Sequence, residues 1–452
     1  MEMQFLGANE TVTGSKYLLK VKGKKILVDC GLYQGIKKNR LRNWEPFPID
    51  PKLIDAILLT HAHIDHSGYI PALCKKGFKG PIYCTEATQD LCKVLLPDAG
   101  YLQEEDARYA NKHHFSKHKP ALPLYTEKDA QASLKQFRPT SFNKPFKPIE
   151  GLTVTFVPNN HILGSSCVVL DDGQRKTIFS GDVGRANDLI MKPPTPIDDA
   201  DFLILESTYG DRLHTQEDIV PQLTRIINTT FERGGIVLIP AFAVGRTQTL
   251  LYLIHQLKQQ NAIPNVPVYL NSPMAISATE IFYRHHKEHK LSNLDCKNID
   301  NGTHFIRTPE ESITLNNQNK PAIIISASGM ASGGRVLHHL KKLAPNPQNS
   351  LVFVGFQAPG TRGDAIIHGA SEIKIHGQYV PIHAEVHRLD NLSAHADYQE
   401  IISWLKNTKH PPKKVFITHG EPAASDAMRL HVQDQLGWPA HVPEYKETAD
   451  LS

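Results

Sequence analysis

The run Thr60-His61-Ala62-His63-Ile64-Asp65-His66-Ser67-Gly68 limits what this chain can be more than any other stretch in it. It continues Ala56 to Thr60, an apolar segment unbroken enough for a strand buried on both faces. Period-two alternation directs His61 and His63 to the same side as the strand ends. A turn after them swings Asp65 and His66 round to the other side of the cluster. Packing alone gives no reason to crowd three imidazoles and a carboxylate at a strand end. Metal binding does, because imidazole and carboxylate suit Zn²⁺, whose catalytic sites keep a position open for water. Four such groups this close together can feed two adjacent ions rather than one.

A two-metal centre needs more ligands, and three other positions share the same local setting. His161 follows the strand Val154 to Val157, in Pro158-Asn159-Asn160-His161-Ile162-Leu163-Gly164-Ser165. Asp182 follows Thr177 to Phe179, in Ser180-Gly181-Asp182-Val183-Gly184, and His419 follows Val415 to Thr418, before Gly420-Glu421. Each is a ligand type directly after an apolar strand, bordered by small residues that let an ion approach the backbone. Singly, each also reads as an ordinary turn residue. Together with the first cluster they form a set.

Composition removes several other classes. The 452 residues carry 50 Lys+Arg against 46 Asp+Glu, and a net charge of +4 is too small to diagnose nucleic-acid binding. With 40% hydrophobic and 21% charged residues the chain is no disordered polymer, and its length suits two or three domains. No apolar run reaches the roughly 20 residues that span a bilayer, Gly234 to Val244 being too short, so no membrane partner is expected. Met1-Glu2-Met3-Gln4-Phe5 shows no secretory pattern. The six cysteines are scattered without a C-x-x-C pair, which argues against a disulfide scaffold or a thiolate zinc site and fits a reduced, cytoplasmic setting. Most of the 24 histidines, such as His113-His114 and His285-His286, read as solvated helix faces.

Two rhythms run along the chain. Up to about residue 207, short strands and turns dominate: Lys16 to Val21 and Lys25 to Asp29 as a hairpin, then Leu152 to Val157, Ser166 to Leu170, Thr177 to Phe179 and Phe202 to Leu205. Lys112 to Pro148, polar and rich in Lys and Pro, reads as a surface excursion. From Gln216 helices and strands alternate: helices Ile219 to Phe231 and Thr247 to Lys258, and strands Gly235 to Pro240, Val266 to Leu270, Ala322 to Ser326 and Leu351 to Phe356. Such alternation implies a parallel sheet. After about Ile382 the first style returns, with the helix Tyr398 to Leu405, the strand Lys414 to Thr418 and the helix Ala424 to Leu436. One α/β domain is inserted into another.

The motif His61-x-His63-x-Asp65-His66, with these partners, resembles the metallo-β-lactamase superfamily. More narrowly the chain resembles the β-CASP branch of nucleic-acid-processing nucleases, which includes ribonuclease J and the cleavage and polyadenylation specificity factor endonuclease. The resemblance spans nearly the whole chain. It implies an αββα metallo-β-lactamase sandwich in residues 1–208 and 383–452, interrupted by a β-CASP α/β domain at 209–382. It also implies that His61, His63 and His161 hold one zinc, that Asp65, His66 and His419 hold the other, and that Asp182 bridges them. Mn²⁺ is a substitute of similar chemistry. Asp29, ending the strand Ile26 to Val28, matches the superfamily's first-motif aspartate and is expected to buttress the ligands.

Further motifs point to the branch. Leu205-Glu206-Ser207-Thr208-Tyr209-Gly210 matches its acidic motif, with Glu206 the acid. Leu392-Ser393-Ala394-His395-Ala396-Asp397 matches its histidine motif. Without the resemblance His395 reads as the neighbourhood of a helix cap, while Glu206, ending an apolar strand, can orient an imidazole. In the insertion, Ile323 to Met330 is a buried strand running into a small-residue loop, followed by Gly333-Gly334-Arg335 and a helix. Backbone N–H groups, two hydroxyls and a helix N-terminus suit an anionic oxygen, so Ser326, Ser328, Gly329 and Arg335 are candidates for the substrate phosphate, joined by Arg246 from Pro240 to Gln248, which has the same strand-to-helix character. Gly360-Thr361-Arg362-Gly363 is a second basic loop. No Walker A sequence and no strict G-x-G-x-x-G occurs.

These features lead to the expectation of zinc-dependent hydrolysis of RNA phosphodiesters by a hydroxide shared between two metals. Asp65, Asp182, Glu206 and His395 are the catalytic set, and His395 protonates the leaving 3′-oxygen. The expected partner is single-stranded RNA, with DNA as the competing polymer, and a homodimer is the one self-association entertained. The 33 residues after His419 are too few for the extra C-terminal domain of ribonuclease J, so its 5′-exonuclease mode does not carry over by resemblance alone, and endonuclease and 5′-exonuclease action both stay open. Two other classes compete. A small ester, lactone or thioester hydrolase needs no long basic insertion, and a non-catalytic RNA-binding subunit has no need of seven intact ligand positions.

Overall fold

The computed structural model describes every residue except 115, 117, 216, 217, 356, 390 and 391. Gln216, where the change of rhythm was expected, and Phe356, the expected end of a strand, fall outside the described residues. The chain divides into two compact units. The first comprises Met1–Asp188, Lys192–Leu213 and His395–Ser452, and the second Leu189–Met191 and His214–Ala394.

The first unit is built on two seven-stranded sheets. One runs in the order Thr448–Asp450, Glu2–Phe5, Tyr17–Val21, Lys24–Val28, Ala56–Leu58, Ile82–Thr85 and Phe137–Thr140. The other runs Ala440–His441, Lys414–Thr418, Phe202–Glu206, Lys176–Phe179, Ser166–Asp171, Leu152–Pro158 and Phe146–Ile149. Alternation along the strands sends Met3, Phe5, Leu19, Val21, Ile26 and Val28 from the first sheet against Leu152, Val154, Phe156, Val168, Leu170 and Phe416 from the second. The rings of Phe5 and Phe416 meet at 5.2 Å between centroids. On the far side of the second sheet, Leu203, Leu205, Val415 and Ile417 pack against Ile401, Leu405 and Met428 of the helices Tyr398–Leu405 and Pro422–Leu436. The helix Glu86–Lys112 packs on Ile82–Thr85 and Phe137–Thr140 of the first. The layers are therefore helix, sheet, sheet, helix.

Three departures from the sequence reading have physical causes. Part of the polar stretch Lys112 to Pro148, read as a surface excursion, contributes the helix Glu127–Ser133 and the strands Phe137–Thr140 and Phe146–Ile149. Both strands contain proline, and each lies at the edge of its sheet, where a missing N–H donor is tolerated. The strand Ala56–Leu58 is shorter than expected, although Leu59 N still donates to Tyr83 O at 2.9 Å.

The third concerns the second unit, which holds a six-stranded parallel sheet in the order His304–Phe305, Val268–Leu270, Ile323–Ser326, Val237–Pro240, Ser350–Val354 and Glu385–Leu389. Its core gathers Leu238, Ile324, Leu351 and Phe353 with Val336, Leu340 and Ile366. Residue 382 was the expected end of the insertion, yet the next strand, Glu385–Leu389, pairs with Ser350–Val354 and carries this unit on to Ala394. Only Leu389 of that edge strand is fully buried, so its sequence lacks an apolar signal.

Candidate metal centre

Everything described here lies within the first unit, unless stated. His61 stands just past the strand Ala56–Leu58, and His63 caps the single helical turn Ile64–Ser67, which carries Asp65 and His66 round beside it. The ring nitrogens of His61 and His63 are 3.2 Å apart, and Nε2 of His161 is 3.3 Å from Nδ1 of His63. Oδ2 of Asp182 faces this group, 3.3 Å from His61 Nε2 and 3.6 Å from His161 Nε2. Its other oxygen, Oδ1, faces a second group, 3.2 Å from His66 Nε2 and 3.6 Å from His419 Nδ1. Within that group the Nε2 atoms of His66 and His419 are 3.1 Å apart, and His419 Nε2 is 3.6 Å from Asp65 Oδ2. All seven expected ligands come together, with Asp182 between two sets of three.

This donor set fits metal ions. A tetrahedron with arms of about 2.1 Å has edges of about 3.4 Å, close to the separations within each group. Asp182 Oδ1 is buried and makes no well-aligned hydrogen bond among the described residues, its near neighbours being the ring nitrogens of His66 and His419, a position that a cation held between them would complete. Burial pushes the imidazole of His61 down to about 3 and that of His63 to about 4, and it holds His161 well below its ordinary value. Those three rings are neutral and keep a lone pair for an ion. His66 behaves in the opposite way. Burial opposes its charge, but the carboxylates of Asp182 and Asp29 outweigh burial and raise its pKa well above the usual one. Burial likewise opposes the charge of Asp182, yet His419, His66 and His61 hold its carboxyl far below the carboxylate range.

The surrounding groups fix these side chains. Asp29 accepts from Thr60 N at 2.8 Å and Thr60 Oγ1 at 2.9 Å, and its Oδ2 lies 2.7 Å from His66 Nδ1. Asp29 and His419 both have left-handed backbones, with φ of 56° and 54°, a conformation that costs a side-chain-bearing residue roughly 1–2 kcal/mol. Thr208, unremarked in the sequence beyond its motif, places Oγ1 3.1 Å from His419 Nδ1. Lys16 was also missed. Its buried ammonium donates to the carbonyls of Gly14 and Gly31 at 3.2 and 2.5 Å, beneath the rings of Tyr33 and Tyr69. Neither contact has a local sequence signal.

Glu206 and His395 form a pair at the edge of the centre. Glu206 is buried, and its Oε1 accepts from Val183 N at 2.6 Å. Its Oε2 lies 3.1 Å from His395 Nδ1. Gly184 bridges His395 across a short antiparallel contact, so the imidazole sits beside Asp182, its Nε2 4.0 Å from Asp182 Oδ2. Burial works against the imidazolium, but Glu206 and then Asp182 overcome it and raise the pKa of His395.

The residues of the expected phosphate cradle lie in the second unit. Ser326 is buried and donates to Asn271 O at 2.9 Å. The Arg335 guanidinium donates to Asn271 Oδ1, Ile306 O and Arg307 O. Both thus have partners inside the fold, as buried carbonyls need donors, while the partly buried Arg335 keeps N–H groups beyond these three. Ser328 is half-buried on the loop with Gly329, and its hydroxyl accepts from Ser332 N at 3.0 Å. Arg246 opens the helix Arg246–Gln259, its guanidinium beside Gly355.

Comparison with known proteins agrees with the geometry. Residues 11–217 match the metallo-beta-lactamase superfamily, 247–366 the Beta-Casp domain, and 379–443 the Zn-dependent metallo-hydrolase RNA specificity domain. The chain is 36% identical over 422 residues to Ribonuclease TTHA0252 of Thermus thermophilus, covering 92% of each protein. It is 30% identical to an RNase J-like protein of Methanocaldococcus jannaschii, covering 98% of this chain and 97% of that one. It is 32% identical to the transcription termination factor FttA of Methanosarcina mazei, covering 95% of this chain and 68% of the relative. A crystal structure of a protein of unknown function from Enterococcus faecalis V583 shares the fold, with a TM-score of 0.55 at 14% identity over 99% of both chains. Among the described residues no helix is long and apolar enough to cross a membrane.

Proposed function

Because this chain belongs to the β-CASP branch of the metallo-β-lactamase superfamily, we propose that it is a zinc-dependent ribonuclease acting on single-stranded RNA. The observation that carries the reading is Asp182, whose two oxygens face two ligand groups while His395 Nε2 stands 4.0 Å away. The RNA specificity domain and the relatives named as ribonucleases favour RNA over a small ester.

His61, His63 and His161 would hold one zinc ion, Asp65, His66 and His419 a second, and Asp182 would be shared. When bound, such a pair supplies a nucleophilic oxygen from water near neutral pH and offsets charge on the scissile phosphate. Asp29 keeps the His66 ring turned toward the centre. Glu206 keeps a proton on His395 and fixes the ring through Nδ1, leaving Nε2 aimed inward. As the P–O3′ bond breaks, the Nε2 proton passes to the departing 3′-oxygen. The products are a 3′-hydroxyl and a 5′-phosphate. In the inserted unit, Ser326, Ser328, Gly329, Arg246 and Arg335 are the residues proposed for a substrate phosphate.

The test offers 5′-labelled single-stranded RNA and the same sequence as DNA to the wild-type protein and to Asp182→Ala. Zinc-dependent products from RNA alone, absent in the variant, are expected. Internal fragments would identify an endonuclease and a released mononucleotide a 5′-exonuclease. Intact RNA after incubation with zinc-loaded wild type would overturn the reading.

A further inference from the structure

The segment after Asp29 first frames the metal centre and then leaves it. Cys30 N donates to His66 O at 2.7 Å and Leu32 N to Ile64 O at 2.9 Å, so residues 30–32 lie against the ligand-bearing turn. Residues 34–44 turn outward. The helix Lys37–Leu41 has no buried residue, and Ile36, Leu41 and Trp44 are 52%, 52% and 56% exposed. Among them stand Lys37, Lys38, Arg40 and Arg42, with no acidic residue from Gly31 to Trp44. Lys37, Lys38 and Arg40 enter no ion pair among the described residues.

This outward stretch is exposed but held in place. Buried Asn43 grips Tyr33, accepting from its N–H at 3.0 Å and donating to its carbonyl at 2.8 Å. The guanidinium of Arg42 lies 5.4 Å from the ring centre of Tyr33 and 4.5 Å from that of Tyr445. Asn39 donates to Thr11 Oγ1 at 3.3 Å, on the loop whose Ala8 carbonyl accepts His419 N. Phe47 stacks on Tyr69 at 5.9 Å. The indole of Trp44 is therefore displayed from a loop anchored on both sides and tied to the ligand segments.

We propose that Lys37, Lys38, Arg40 and Trp44 form a platform for the RNA strand beside the metal centre, the cations on phosphates and the indole under a base. This rests on the ribonuclease reading and extends it to how the substrate is held. Cations without an ion pair among the described residues, interleaved with an exposed aromatic ring and outnumbering the one nearby acid, Glu45, suit a single-stranded polyanion, whose every base offers a π-face. A second copy of the chain is the poorer occupant, because a two-fold contact would set this cationic patch against itself.

The test compares Trp44→Ala, Trp44→Phe and a triple variant with Lys37, Lys38 and Arg40 each changed to Ser. Hydrolysis of bis(p-nitrophenyl) phosphate, which has no base to stack and no flanking phosphate, reports the metal centre and is expected unchanged. RNA binding is followed by anisotropy across a salt series in the His395→Ala background. The triple variant is expected to flatten the slope of log K against log salt by about 2, from roughly 0.7 per lost phosphate contact. Trp44→Ala is expected to weaken binding about tenfold with the slope kept, and Trp44→Phe to recover most of it. If the triple variant loses activity on the small diester, Lys38→Ser, with a slope change of about 0.7, and Trp44→Ala carry the same comparison. Wild-type affinity and slope in the variants, with RNA still cut by wild type, overturns the platform and leaves the ribonuclease reading standing. So does a change in oligomeric state with RNA binding unaltered. Wild-type protein that neither binds nor cuts RNA overturns both.

Discussion

Nδ1 of His395 lies 3.1 Å from Oε2 of Glu206, and Nε2 of the same ring lies 4.0 Å from Oδ2 of Asp182. One nitrogen is held by a buried carboxylate and the other faces the centre, the arrangement of an imidazole kept protonated to donate. In the proposed role as acid such a group works while it carries its proton, so activity is expected below its raised pKa and is expected to fall as pH rises through it. Glu206→Gln keeps an oxygen for Val183 N but removes the charge that outweighs burial. The alkaline limb of the kcat profile is expected to move to lower pH in that variant. His395→Ala should lose about 10²–10⁴ in rate while keeping its zinc, read by cleavage assay beside metal analysis.

The two groups proposed as ligands differ in their protons before any metal binds. Burial keeps His61, His63 and His161 neutral well below pH 6.5, whereas Asp29 and Asp182 keep His66 charged above it. Near pH 6 the first zinc equivalent is therefore expected to enter the first group without releasing a proton. The second must displace the proton of His66. Calorimetric titration in two buffers of different ionisation enthalpy separates the steps, and proton release with the first equivalent would contradict this order.

Asp29→Asn tests the support behind His66. The carboxylate takes three contacts, from Thr60 N, Thr60 Oγ1 and His66 Nδ1, and an amide cannot accept all of them. Zinc affinity is expected to fall about 10–100-fold, and mainly for the second equivalent, as measured by competition with a chelator.

The residues that gather at the candidate centre are legible because each is announced locally. His61, His161, Asp182 and His419 all stand directly after apolar strands, where a polar residue is conspicuous. What escaped depends on contacts between distant segments. Lys16 reaches Gly31, and Thr208 reaches His419 across 211 positions. Ser326 and Arg335 looked free in sequence, but Asn271 and the carbonyls of Ile306 and Arg307 take their donors. The edge strands Phe137–Thr140 and Glu385–Leu389 escaped because an edge needs little apolar surface, so periodicity has nothing to report.

Gly31 is the residue where the frame of the centre has no room to spare. Its φ is not left-handed, so the demand is one of space rather than conformation. A Cβ there would lie 1.5 Å from the carbonyl oxygen of Asp65 and 2.7 Å from His66 N, both backbone atoms of the turn that carries two ligands. Neither can rotate away as a side-chain tip would. Either that turn or the segment Cys30–Leu32 has to move, breaking the hydrogen bonds from Cys30 N to His66 O and from Ser15 N to Asp65 O. Overpacking of this kind typically costs about 1–3 kcal/mol, and here the strain falls on the second ligand group. Gly31→Ala is expected to lower the denaturant midpoint and to lose the second zinc equivalent before the first. Zinc content of two per chain with an unchanged midpoint would show that the turn has slack which the geometry denies.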